Sequence, residues 1–179
     1  MQHGFFKNIL TLSLLVMAES VFAEPCDQSE SKELVHQFYI TVQREGLGSF
    51  PDTKDFEKIK PFLASKLEKP LSLAVLAFEK SYSKNELPPY ENSFLSSYAE
   101  GHTNFFVSEA YNNLETTKVK VLLQYSSPPE LPSVVDETDY VVTLRENGKC
   151  KITDILFSAD AYSETTLQER LKTINSYEN

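Results

Sequence analysis

The sequence contains no tryptophan, and only 2 methionines, 3 histidines, 2 cysteines and 5 glycines among 179 residues. So few histidines and cysteines exclude a Cys/His metal cluster, and neither an HExxH helix nor an Asp-x-Asp-x-Asp-Gly loop occurs. Glycine is too sparse for GxGxxG, and no Walker loop is present, so nothing supports a nucleotide cofactor. The Gly-x-Ser-x-Gly nucleophile elbow and the redox pair CxxC are also missing. Cations are outnumbered, 17 Lys+Arg against 26 Asp+Glu, for a net charge of −9. That balance opposes a nonspecific grip on nucleic acid. There is no internal repeat, low-complexity tract or interdomain linker, and no cofactor is expected.

What is there begins with an address. Lys7 gives a short positive start, and residues 9–17 form an apolar run broken only by Thr11 and Ser13. Val21-Phe22-Ala23 then supplies small residues before Glu24-Pro25. This is the pattern of a secretory signal peptide cleaved near Ala23, leaving a single domain over 24–179. An uncleaved anchor is the alternative, although the run is short for a span. Cys26 follows Ala-Glu-Pro rather than the small-residue triplet of a lipoprotein signal. No later apolar run approaches 18 residues, so the mature form is expected not to span a membrane and to be periplasmic or secreted. In that compartment the two cysteines, Cys26 and Cys150, are read as a structural disulfide, with two free buried thiols as the alternative.

The mature chain changes period along its length. Leu34, Val35, Phe38, Tyr39 and Val42 fall at helical spacing behind the capping residues 27–31, with Gly46 and Gly48 as the stop. Phe56, Ile59 and Leu63 predict a short second helix capped by Asp52. Ser65-Lys66-Leu67-Glu68 has the capping-box pattern ahead of a third helix carrying Leu67, Leu71, Val75, Phe78 and Tyr82. Pro70 is expected to kink or restart that helix. Residues 85–92, with Pro88-Pro89, and the Pro-rich stretch 126–133 read as loops. Strands are expected at 103–111, 117–125, 140–145 and 150–157. The last two flank Asn147-Gly148, a pair that favours a two-residue hairpin turn. Thr166-Leu167-Gln168-Glu169 is a second capping box, opening a C-terminal helix. Helices, then strands, then a helix predict an α+β fold: a curved antiparallel sheet packed against N-terminal helices plus a short C-terminal helix.

Residues 139–157, with Glu100-Gly101 ahead of a strand, resemble a family of bacterial secreted proteins carrying a domain of unknown function. Through it the chain is similar to the nuclear-transport-factor-2-like cone fold, also seen in ketosteroid isomerase. The Leu34-Val35-His36-Gln37-Phe38-Tyr39 stretch and the helix at 167–171 fit the same plan, so the likeness covers most of the chain after Cys26. It implies a cone-shaped fold and an exported location, and transfers no catalytic residues. An aromatic residue, often tryptophan, follows the Gly-Lys turn in that family. Cys150 stands there in this chain, which matches a covalent tie in place of aromatic packing.

Asp154 interrupts the apolar run Ile152-Thr153-Asp154-Ile155-Leu156. In a cone interior an acid and a phenol can abstract a proton and hold an oxyanion. Asp154 with Tyr140, Asp139 or His102 is therefore the one conceivable catalytic set. The alternative for Asp154 is a structural carboxylate at a bulge or a helix end. Tyr90 and Phe94 near the proline pair, and the acidic group Asp136, Glu137 and Asp139, are candidates for partner contact. The leading functional expectation is an exported, non-catalytic binding or envelope-accessory module, taking an envelope protein or a small apolar ligand. The alternatives are an immunity-type protein that neutralises a basic secreted toxin, and a cofactor-free isomerase or lyase of the cone kind.

Overall fold

Asp27 opens the first helix by placing its carboxylate under the backbone N–H groups of Ser29 (2.8 Å) and Glu30 (3.4 Å). Helix α1 (Gln28–Arg44) then buries Val35, Phe38, Tyr39 and Val42 along one stripe. The structure, a computed structural model, describes residues 24–44, 52–86, 95–97, 102–125, 134–157 and 166–176. The signal-peptide reading of 1–23 and the loop reading of 126–133 lie outside those residues. Asp52 caps α2 (Thr53–Ile59) by accepting from Asp55 N–H, and a 3₁₀ turn (Lys60–Phe62) follows at Pro61.

Helix α3 (Ser65–Ser83) narrows one expectation and departs from another. Of the two expectations for Pro70, a kink or a restart, the restart is excluded, since the helix runs through that position. The capping box is not used. Ala64 is the N-cap, and the Ser65 N–H is taken by the carboxylate of Glu146, a β-hairpin residue (3.1 Å). A sequence-local box is displaced here by an acceptor brought in through tertiary structure.

The four strands β1 (Asn104–Asn112), β2 (Thr117–Tyr125), β3 (Val134–Glu146) and β4 (Lys149–Leu156) form one antiparallel sheet in the order β1-β2-β3-β4. The sheet is curved and does not close. Strand β3 begins at Val134, six residues before the expected start, so the acidic group 136–139 belongs to the strand rather than to its approach. Asn147 (φ 51°) and Gly148 (φ 75°) make the two-residue turn to β4, as their left-handed tolerance predicts. Helix α4 (Leu167–Ser176) opens with the full reciprocal box: Thr166 N–H to Glu169, and Glu169 N–H to Thr166 Oγ1, both 3.2 Å.

Strand alternation sorts the sheet into two faces. Val119, Val121 and Leu123 of β2 pair with Val141, Asp139 and Glu137 of β3, and this inner face packs with α1, α3 and α4 into one core. Leu63 bridges β4 at Ile152, covering that edge, and Thr166 bridges Leu156. Glu24 bridges Arg145, beside the Cys26–Cys150 pair. The two sulfurs lie at bonding distance, 2.12 Å, with Cα atoms 5.7 Å apart. Around them Ser31 Oγ meets Thr143 Oγ1 (2.8 Å), and Thr117 Oγ1 donates to the Cys26 carbonyl (2.6 Å). Among the described residues no helix is long and apolar enough to cross a membrane.

Candidate functional site

On the largely apolar inner face β3 presents one fully buried carboxyl among the described residues, Asp139, opposite Val121. Its carboxyl is fully buried and accepts from both the N–H (3.2 Å) and the hydroxyl of Ser97. Ser97 belongs to the short segment 95–97, whose Leu95 sits in the core. Arg170 of α4 holds the same segment: its Nη1 donates to the Ser96 carbonyl (2.8 Å), and its guanidinium lies 3.4 Å from the centre of the Phe157 ring. From α1, Tyr39 reaches into this region with its ring fully buried. His102, just before β1, packs 5.4 Å from the Tyr39 ring, and Phe105 packs against both.

Burial dominates the electrostatics. It pushes the Asp139 carboxyl up to about 7, and outweighs the Ser97 hydrogen bonds and the Arg170 charge that pull it down. Tyr39 is raised well above its ordinary value by burial first and by the Asp139 charge second. Burial lowers His102 to about 4, so its ring is neutral at pH 7. The Tyr39 hydroxyl and both His102 ring nitrogens are buried and make no hydrogen bond among the described residues. A buried donor or acceptor left this way costs about 1–3 kcal/mol. The Tyr39 phenol and the neutral His102 imidazole thus lie together among aromatic rings, and the Asp139 carboxyl, near its half-ionised point, acts on Tyr39 through its charge.

The set expected from the sequence is not assembled. Asp154 sits at a β-bulge, where β4 carries Thr153 as an extra residue between the pairs Val142↔Asp154 and Thr143↔Ile152. Its carboxylate accepts from the N–H groups of Ile155 (2.9 Å) and of Gln168 in α4 (3.1 Å). It is a helix-end acceptor, and burial raises it above its ordinary value. Tyr140 pairs with Lys120 on the opposite face of the sheet, its ring 6.5 Å from that of Tyr111. Of the four residues in that set, Asp139 and His102 are brought toward the interior, while Asp154 serves the start of α4 and Tyr140 lies on the opposite face. Asp139, expected as a surface contact, is corrected by its burial: two-residue alternation places it on the same face as Val141 and Thr143. Glu137 is half-buried. The Asp136 side chain, Tyr90 and Phe94 lie outside the described residues.

Tyr39, Ser97 and Arg170 were not singled out from the sequence. Tyr39 sits within the apolar stripe of α1 and reads as core. Arg170 carries a detectable signal, a cation between Leu167, Leu171 and Ile174 on the buried face of α4. Ser97 carries none. Elsewhere, a cleft of about 660 Å³ between the 3₁₀ turn, the start of α3 and the hairpin mixes Lys60, Lys149 and Lys151 with Glu57, Glu68 and Glu146. Lys60 bridges Glu57 and Glu68 there, and Glu146 serves Ser65. No group of three or more His, Cys, Asp or Glu side chains among the described residues forms a metal-binding cluster. Comparison with protein-family models, curated proteins and solved structures finds no match to this chain.

Proposed function

We propose that this chain is an exported, non-catalytic binding module that takes a small apolar ligand with a hydrogen-bonding head into the interior cluster of Tyr39, His102 and Asp139. The observation that carries the reading is a pair of buried polar groups, the Tyr39 hydroxyl and the His102 ring, that make no hydrogen bond among the described residues. A ligand bearing one donor and one acceptor would satisfy them, while Phe105 and the Tyr39 ring meet its apolar body. Export follows from the N-terminal segment, and cleavage leaves Glu24 as the first residue. The resemblance to exported cone-fold proteins and the close Cys26–Cys150 pair support that compartment. The basic-toxin reading is weakened, because burial removes Asp139 from the acidic contact group.

Tyr39→Phe tests the site, because it deletes one atom and leaves the ring in place. Without ligand the variant should melt no lower than wild type, since the lost hydroxyl has no partner among the described residues. In a thermal-shift screen of small hydroxyl- and carbonyl-bearing apolar compounds, hits should shift wild type and bind the variant roughly 5–10-fold more weakly. Hits that stabilise both proteins equally would place the ligand elsewhere.

The buried carboxyl near neutrality beside a phenol also favours a second reading, a cofactor-free acid–base enzyme with Asp139 in the role first considered for Asp154. A turnover abolished by Asp139→Asn without a lowered melting temperature would replace the binding reading.

A further inference from the structure

The two edges of the sheet differ. At β4, Leu63 bridges Ile152 and the Ala64 N–H bonds the Ile152 carbonyl (2.8 Å), so chain lies against that edge. At β1 no further strand pairs among the described residues. An unpaired edge offers its N–H and C=O groups to another chain. Exposed apolar side chains gather there: Phe106 is 62% exposed, Tyr111 43%, and Leu114 in the following turn 95%. The strand has one bulge, where Ser108 and Glu109 stand between the pairs Val107↔Val121 and Ala110↔Val119. About that bulge the strand is symmetric. Val107 and Ala110 on either side of it both pack against the core, and Phe106 and Tyr111 beyond them both face solvent. Helix α1 runs beside β1 in the opposite direction. Gln43 donates to the Thr103 carbonyl, His36 packs on Phe105 (5.6 Å), and Ser29, Lys32, Glu33 and His36 share a groove of about 430 Å³ with Val107. Neighbouring opposite charges, Lys32 and Glu33, therefore stand beside the bulge.

We propose that a second copy of this chain pairs antiparallel on β1, with a two-fold axis through the middle of the two bulges. That register sets Phe106 against Tyr111 of the second copy on the solvent face, and Val107 against its Ala110 on the core face, each pair occurring twice. Every pair joins residues of one face, whereas a slip of one residue would mix the faces. Glu109 falls opposite Ser108, so like charges do not meet across the strands. A bulge guards an edge against regular strands. Here the two bulges coincide at the axis and leave the regular stretches on both sides to pair. The same axis turns the first halves of the two α1 helices toward each other. Lys32 then lies near Glu33 of the second copy and Glu33 near its Lys32, a self-complementary charge pattern. Because the β4 edge is covered, association closes at two copies, the two four-stranded sheets continuing as one. The inference is independent of the ligand-binding reading.

Sedimentation velocity over a concentration series tests this on the purified protein. Wild type should pass from monomer to dimer as concentration rises, with no larger species. Phe106→Lys, at an exposed site, should keep the far-ultraviolet spectrum and weaken the dimer by roughly tenfold. Lys32→Glu and Glu33→Lys should each weaken it as well. Combining the two exchanges should restore it, because in a two-fold interface the swapped pair is again complementary. In a mixture of isotope-labelled and unlabelled protein, filtered NOEs should join the Phe106 ring of one copy to the Tyr111 ring of the other. A monomer up to about 1 mM, the weak end of specific association, would overturn the proposal and leave the edge to a different chain. A dimer untouched by Phe106→Lys, a combined exchange no tighter than the single ones, or NOEs between copies that avoid β1 would each overturn it too.

Discussion

Asp139 and His102 both neighbour Tyr39, and burial moves each toward its neutral form, which gives them opposite effects on stability as pH changes. Asp139 sits at about 7 when folded against an ordinary 3.8. Its contribution is full below 3.8 and is lost as pH rises through about 7. His102 sits at about 4 against an ordinary 6.5. Its contribution is full above 6.5 and is lost as pH falls through about 4. Between those values the two slopes oppose each other. Urea unfolding across this range should therefore separate them. Asp139→Asn should make stability rise more steeply with pH than in wild type, and His102→Phe should make it fall more steeply. Parallel profiles for all three proteins would mean that neither group is held neutral by burial. His102 was visible in the sequence as an interior candidate because it stands at a strand entrance. Its companion was hidden, since a tyrosine inside a helical stripe of Leu34, Val35, Phe38 and Val42 carries no mark of a polar role.

The helices owe their starts to carboxylates of two kinds. Asp27 and Asp52 cap α1 and α2 from the adjacent chain, and both were legible because the acceptor precedes the apolar stripe. Glu146 and Asp154 reach α3 and α4 from the sheet, and no local pattern announces them. This explains the misreading around Ser65, where the local signal competed with an acceptor 81 residues away; at Asp154 the structural alternative, a carboxylate at a bulge and a helix end, is the one the fold shows. Removing these acceptors should loosen the helix starts. Glu146→Ala and Asp154→Ala should each lower unfolding stability by about 1–2 kcal/mol, read by urea titration, while Asp154→Asn, which keeps an acceptor oxygen, should cost less. An unchanged midpoint for Asp154→Ala would remove its structural role and reopen the catalytic one. At the hairpin, Gly148→Ala places a side chain at φ 75° and should cost about 1 kcal/mol, although a Cβ there meets open space. Crowding by the rest of the described fold is thus excluded, and the loss is the local clash of Cβ with its own backbone.

At the scale of the molecule, order of elements was the most readable property. Three helical stripes ahead of alternating strands forced a sheet with one covered face, and the antiparallel meander β1-β2-β3-β4 follows from short connections between neighbours. The early start of β3 was missed because acidic residues 136–139 disguise the alternation that Val141 and Thr143 continue. The Cys26–Cys150 tie spans 124 residues, and the loop-entropy relation assigns such a closure about 5 kcal/mol. Replacing both cysteines by alanine should therefore lower stability by about 2–5 kcal/mol, with the far-ultraviolet spectrum retained. Thiol titration of the denatured, unreduced protein should find no free cysteine. The same tie sets a timetable for biogenesis. The sequence holds 2 cysteines, so Cys26 has a single possible mate in its own chain, and that mate is synthesised only after the first three strands. Until then an oxidant can only cap Cys26 or join it to another molecule. Intramolecular oxidation, followed by gel mobility in nascent and released chains, becomes a clock for the moment at which α1 and the hairpin meet.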